Sequence, residues 1–277
     1  MRAARTVRYP TLIWELMRVD GKLLTSLQCG REAPHPATKW SLPSMRSSIY
    51  RTTVPTGEQL LIDLGVAPLA EPKDIKQVRL TSGNDSYAFT VGKKGYHDKY
   101  RTAAVTGGRE VAKTNAHGKE VWIASAEAGA WSFASFRGDY HDLLSIFGGT
   151  PSPGQVKSVY DKLTIVDSPG GMTVNGARST LWTIVSHTTL VTVPGYGHIL
   201  VGDHDRAKAM LPKYAGQRTT HGEIWRVPLT DRTAHTRPGD HSYVVASSGG
   251  VAEVFVAPYS QASDAEQLTW LKNIKIG

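Results

Sequence analysis

Imidazole is the one chemical resource that clusters along this chain. "HILVGDHDR" brings His198, Asp203, His204 and Asp205 into one short span, and "HTRPGDH" adds His235, Asp240 and His241. Imidazole nitrogens and carboxylate oxygens bind zinc and other divalent ions when roughly three or four converge in a tetrahedral shell. His198, His204, Asp205 and His241 are therefore the candidate metal ligands, and the chemistry they would support is metal-assisted hydrolysis. The same residues have a plainer use. Asp-His pairs suit turns and helix caps at solvated strand ends, and this spacing matches no specific metal signature. His187 lies inside an apolar run and reads as a partly buried strand residue.

Aromatic rings beside cations form the second set. Trp225 is followed by Arg226, and Phe136 by Arg137, while Trp122, Trp131, Phe133 and Trp182 fall in other apolar runs. A sheet face carrying rings and guanidinium groups can stack bases or sugars. Trp225, Arg226 and His235 are the ligand-binding candidates on this argument. Large rings also fill cores, and no RNA-binding aromatic motif accompanies these.

The familiar catalytic signatures are missing from the 277 residues. There is no G-x-S-x-G elbow, H-E-x-x-H pair, phosphate loop or EF-hand loop. The single cysteine, Cys29, excludes an intramolecular disulfide and a cysteine-cluster zinc site. No catalytic residue and no cofactor is assigned, apart from the candidate divalent metal. The pattern favours a non-catalytic binding or structural protein over an enzyme.

Charge narrows the partner. The formal net charge is +8, with Lys and Arg dispersed along the chain and no dense basic block. Such a surface favours an acidic ligand or protein partner, and nucleic acid stands as a further alternative. "MRAARTVR" resembles the start of a signal peptide, but Glu15, Arg18 and Asp20 interrupt the apolar run a signal needs. No stretch approaches the ~20 apolar residues of a transmembrane helix. The compartment is not legible.

The elements that would position these residues are mostly strands. Residues 1–55 form an N-terminal extension. It contains a hairpin about Asp20-Gly21, or else a helix from Thr11, and then an irregular run with Pro34, Pro36 and Pro43. Residues 56–170 are a first β-rich half and 171–277 a second. "TGEQLLIDLG" predicts a helix over 56–65, with Thr56 and Gln59 as a capping box and Leu60, Leu61 and Leu64 on one face. "DYHDLLSIFGG" predicts another over 139–149. "SPGQVKSVYDKL" and "SDAEQLTWLKNI" are clearer helices, each opened by a Ser cap with Gln155 or Glu266 three residues on. Between them lie apolar runs separated by short turns, which suits antiparallel pairing.

One echo stands out. "VWIASAEAGAWSFASF" (121–136) and "YVVASSGGVAEVFVAP" (243–258) share a run, a small-residue turn and a second run, and each precedes a Ser-capped helix. Chance and duplication both explain it. The expected fold is α+β and β-rich, with antiparallel sheets each packed by a short amphipathic helix and, if the echo is real, two similar halves. The cleft between halves would be the default ligand site.

Overall fold

Alternating burial in "QLLIDL" decides the first element that the sequence leaves ambiguous. Leu60, Ile62 and Leu64 are buried while Leu61 is exposed, a period of two. The computed structural model describes residues 48–104, 109–125, 129–178, 180–229, 238–257 and 262–277, together with Arg18–Val19 and Lys22–Leu23. In it Gln59–Asp63 is a strand, not the expected helix. His141–Gly148 is likewise a strand. Its consecutive residues Leu143 and Leu144 are both buried, in different clusters. A strand covered on both faces loses its alternation, which is why this one resembles a helix in sequence.

The described residues are dominated by antiparallel strands. Arg18–Val19 (β1) and Lys22–Leu23 (β2) pair on either side of Asp20-Gly21. The turn residues themselves, the alternative helix from Thr11, Cys29 and the proline-rich run lie outside the described residues. Ile49–Thr53 (β3), Gln59–Asp63 (β4) and Lys275–Ile276 (β19) make a three-stranded sheet, and Leu163–Ser168 (β11) pairs with Gly171–Gly176 (β12).

The largest sheet has twelve strands. In chain order they are Lys73–Ser82 (β5), Asp85–Lys93 (β6), Arg109–Ala116 (β7), Lys119–Ser125 (β8), Trp131–Arg137 (β9) and His141–Gly148 (β10). Thr183–Val193 (β13), Gly197–Gly202 (β14), Gln217–Arg218 (β15), Gly222–Pro228 (β16), His241–Ser247 (β17) and Gly250–Val256 (β18) follow. Across the sheet they run β15-β16-β17-β18-β14-β13-β5-β6-β10-β9-β8-β7. Four helices occur among the described residues: Tyr96–Ala104 (α1), Pro153–Tyr160 (α2), His204–Met210 (α3) and Asp264–Asn273 (α4). Both capping boxes form, Ser152 with Gln155 at α2 and Ser263 with Glu266 at α4. None of the described helices is long and apolar enough to cross a membrane.

Register explains the core. One row of cross-strand partners spans all twelve strands: Thr114, Val121, Phe136, Leu143, Val91, Lys76, Thr189, Val201, Ala252, Val245, Ile224 and Gln217. Partners in a row share a face. On this face α2, β11 and β12 bury Val156, Val159, Tyr160, Leu163, Met172 and Val174 against Val78, Leu80, Phe89 and Leu143. Farther along, Trp270 and Leu271 of α4 join Ile62, Leu64, Val191, Ile199 and Val254. In α2 Val156, Val159 and Tyr160 are buried, as a 3.6-residue period predicts, but α4 departs from that pattern. Leu268 is exposed, and Gln267 is buried in its place.

The row is apolar on both sides of its middle, where Lys76 stands beside Thr189. Lys76 is buried and its Nζ lies 3.0 Å from Asp74 Oδ2. Thr52 Oγ1 of β3 donates to the same carboxylate oxygen. Burial alone would raise the Asp74 pKa. The Lys76 charge and hydrogen bonds from Thr52, Lys76 and Tyr50 outweigh it and hold the carboxyl below its ordinary value. Burial, with the nearby Asp74 charge, pushes the Tyr50 phenol upward.

Breaking one half of a buried ion pair strands the other charge. Lys76→Met is expected to cost roughly 3–5 kcal/mol in urea unfolding, and adding Asp74→Leu should recover most of it. A single variant as stable as the parent would show that the pair does not hold the centre of the sheet.

Candidate functional site

Three places gather polar side chains. The first is the sheet face opposite the row through Lys76. Leu144, Thr90, Gln77, Thr188 and Gly202 are partners in one row there. Leu144 packs with Tyr100 of α1, and Gly202 lies under Arg206 of α3. Both helices therefore sit on this face. Tyr96 places α1 against Gly92 of β6, while Ala207 and Met210 place α3 against Val244 and Val251 of β17 and β18. The strands β5 and β13 run between them, with β6 partly under α1 and β14 partly under α3; β6 to β14 is three strand spacings, about 14 Å.

Alternation puts Lys73, Gln77 and Arg79 of β5 on this strip, with Ser186, Thr188 and Thr192 of β13 beside them. Lys73 and Arg79 are exposed. His198 of β14 continues the row from Lys73 through Thr192, and its Nδ1 is 3.1 Å from Thr192 Oγ1. Burial lowers the His198 pKa, so its ring is neutral near pH 7. None of the four strands turns a carboxylate to this face, since Asp74 and Asp85 have the opposite parity.

The second place lies under α1. His97 has no exposed surface, and neither ring nitrogen has a hydrogen-bond partner among the described residues. Its ring packs edge-on to Trp122 at 5.6 Å and against Phe133 at 5.3 Å. The Glu110 carboxylate is 3.8 Å from Nε2, beyond hydrogen-bonding distance. Asp142 Oδ2 accepts from the backbone N–H groups of Gly95 and His97, anchoring the start of α1 from β10. Its other oxygen is 3.3 Å from Arg137 Nε. Trp122 also meets two cations, with Lys113 Nζ 3.8 Å and Arg137 Cζ 4.9 Å from the ring centroid. Burial, reinforced by the Arg137 charge, pushes the His97 pKa down to about 4.

The third is a His–Asp contact where β11 meets β10. His141 Nδ1 is 2.8 Å from Asp167 Oδ1, and Asp167 Oδ2 accepts from the Tyr140 N–H at 2.8 Å. The pair ties the β11–β12 hairpin to the turn before β10.

The candidate metal ligands do not come together. His198 stands at the start of β14. His204 and Asp205 are exposed on α3 beyond the strand's other end, on the order of 20 Å away along an extended chain. His241 has the opposite parity to Ser242, the residue in His198's row, so it faces the other side of the sheet. Among the described residues no three His, Cys, Asp or Glu side chains gather closely enough to hold a metal ion. Asp203 caps α3, accepting from the Arg206 N–H, and also accepts from the His187 N–H. The aspartate of this motif is thus a cap.

Trp225 is buried, and its indole N–H donates to the Tyr214 carbonyl at 2.7 Å. Arg226 is exposed and points to the opposite face, since its row partner is Tyr243. His235 lies outside the described residues. The α1 cluster was hidden in sequence because its members, His97, Glu110, Trp122, Arg137 and Asp142, come from five elements. The aromatic candidates Trp122 and Phe133 and the "FR" at 136–137 were its visible signals in sequence. No protein-family model, curated protein or solved structure matches the chain.

The His97 environment sets a pH dependence. An unfolded chain protonates this imidazole near its ordinary value of about 6.5, whereas the folded protein does so only near about 4. Acidification through this window therefore favours unfolding, and the loss is complete below the lower value. The expected size is roughly 3 kcal/mol. Comparing urea unfolding of the parent and His97→Phe across this window isolates it, and equal slopes would contradict the assignment.

Proposed function

We propose that this is a non-catalytic binding protein whose acidic partner lies on the strip between α1 and α3. The observation that carries the reading is the strip's chemistry. Lys73 and Arg79 are exposed there among Gln, Ser, Thr and His side chains and the apolar Ile75, Leu190 and Leu200, with no carboxylate on the same face of the four strands. The net charge of +8 adds a long-range attraction for polyanions.

The reading includes an internal duplication. Outward from the sheet's centre, one side runs β5, β6, β10, β9, β8, β7 and the other β13, β14, β18, β17, β16, β15. Numbered along the chain, both orders are first, second, sixth, fifth, fourth, third. A helix follows the second strand of each set, α1 or α3, and a Ser-capped helix follows the sixth, α2 or α4. Even the closing strands correspond. β11 after α2 pairs with β12, which leads into β13, and β19 after α4 pairs with β4, which leads into β5. Two six-stranded units joined at β5 and β13 make the strip a junction between units, where ligand sites favour forming.

Heparin is a suitable polyanionic probe. Lys73→Glu/Arg79→Glu should weaken binding about tenfold or more, equivalent to ~1.4 kcal/mol, and binding should fall with added salt. Lys157→Glu/Lys272→Glu reverses the same charge on α2 and α4 and should weaken it far less. Equal losses would mean that only net charge is read, and salt-independent binding would overturn the acidic-partner reading.

A further inference from the structure

The cluster beneath α1 places a proton-sensitive group under one short helix. His97 is a fully buried imidazole whose two nitrogens find no hydrogen-bond partner among the described residues. A neutral ring fits this apolar slot between Trp122 and Phe133, whereas a charged one requires hydration or a close counter-ion. The Asp142 carboxylate accepts from the Gly95 and His97 N–H groups at 2.9 Å and 3.1 Å, so the helix start is held at the same place.

We propose that α1 is an acid-operated latch: protonation of His97 undocks the helix while the twelve-stranded sheet stays intact.

The groups facing His97 come from every element packed around it. Asp98 and Arg101 lie on α1 itself, Glu110 on β7, Arg137 on β9 and Asp142 on β10, with Trp122 on β8. A proton on His97 is repelled by Arg137 and Arg101 and attracted by Asp98 and Asp142. Glu110, at 3.8 Å, is the carboxylate nearest the ring nitrogens and lies beyond hydrogen-bonding distance. Among the described residues the slot therefore holds no hydrogen-bonded counter-ion for a charged ring.

The rest of the helix is weakly held. α1 spans only nine residues, too few to persist alone in water. Tyr96 and Tyr100 supply its described apolar anchors, against Phe133, Leu144 and Ile146. The sheet below keeps its strand-to-strand pairing without α1, since β6, β10, β9 and β8 hydrogen-bond to one another directly. Undocking would uncover Tyr100, Phe133 and Leu144 beside the strip. It would present an apolar surface at low pH that is covered at neutral pH.

Hydrogen exchange followed by mass spectrometry, corrected for the intrinsic pH effect, tests this directly. Between about pH 7 and about pH 4 the amides of α1 should lose protection about tenfold or more, while those of β5 and β13 keep theirs. His97→Phe and His97→Gln cannot take the charge, so both should retain most of the α1 protection at the acid end. Should one of them fail to fold at neutral pH, the other still decides. Loss of protection at the same pH in α1 and the central strands would mean global unfolding and overturn the latch. So would an α1 that opens equally in the parent and in a folded variant.

Discussion

The pairing of β5 with β13 is the constraint on which the rest of the molecule depends. These are the longest strands of the large sheet, aligned from Lys73 opposite Thr192 to Thr81 opposite Thr183. Without that seam the twelve strands would be two separate sheets. The register carries a further condition. It places Lys76 opposite Thr189 on the covered face, in the middle of a row that is otherwise largely apolar. A buried ammonium is tolerable only when paired. Asp74 provides the pair, and Thr52 of β3 caps it. A slip of one residue would turn the ion pair to the open face and drive Gln77 into the core. The polar centre therefore helps to select the register, as buried polar groups do in other settings where alternatives must be excluded.

The same alternation makes the two faces different. Val78 and Leu80 go inward beneath α2 and the β11–β12 hairpin. Gln77 and Arg79 go outward between α1 and α3. Short helices occupy the flanks of this second face; between them Lys73 and Arg79 are exposed, while Thr90, Thr188 and Leu200 are buried. Both exposed cations come from β5, the strand whose pairing with β13 closes the large sheet.

Much of the β-rich character was legible in the sequence, because apolar runs bounded by Gly and Asn-Asp turns allow few other folds. The helices α2 and α4 were legible for a different reason. Their capping boxes are local, and local signals survive without tertiary context. Strands β4 and β10 were misread as helices. Thr56 and Gln59 imitate a capping box before a strand, and Leu143 and Leu144 are buried on opposite faces. The second error obscured the matching strand order on which the proposed duplication rests. The echo between 121–136 and 243–258 compares β8 and β9 with β17 and β18, whereas strand order matches β17 and β18 to β9 and β10. With β10 read as an extra helix, the corresponding hairpin could not be recognised. The His97 cluster was illegible because its five members meet only after β7 to β10 and α1 have assembled. Proximity in sequence misled in the opposite direction at His198 and His204, which one strand carries apart.

On the proposed reading an acidic partner occupies the strip where β5 meets β13, the junction of the two proposed units. Hydrogen-exchange protection on adding a heparin oligosaccharide at low salt measures this most directly. Protection concentrated in β5, β13 and the adjoining residues of β6 and β14 is the predicted result. Protection confined to the opposite face, at α2, α4 or the β11–β12 hairpin, would contradict it.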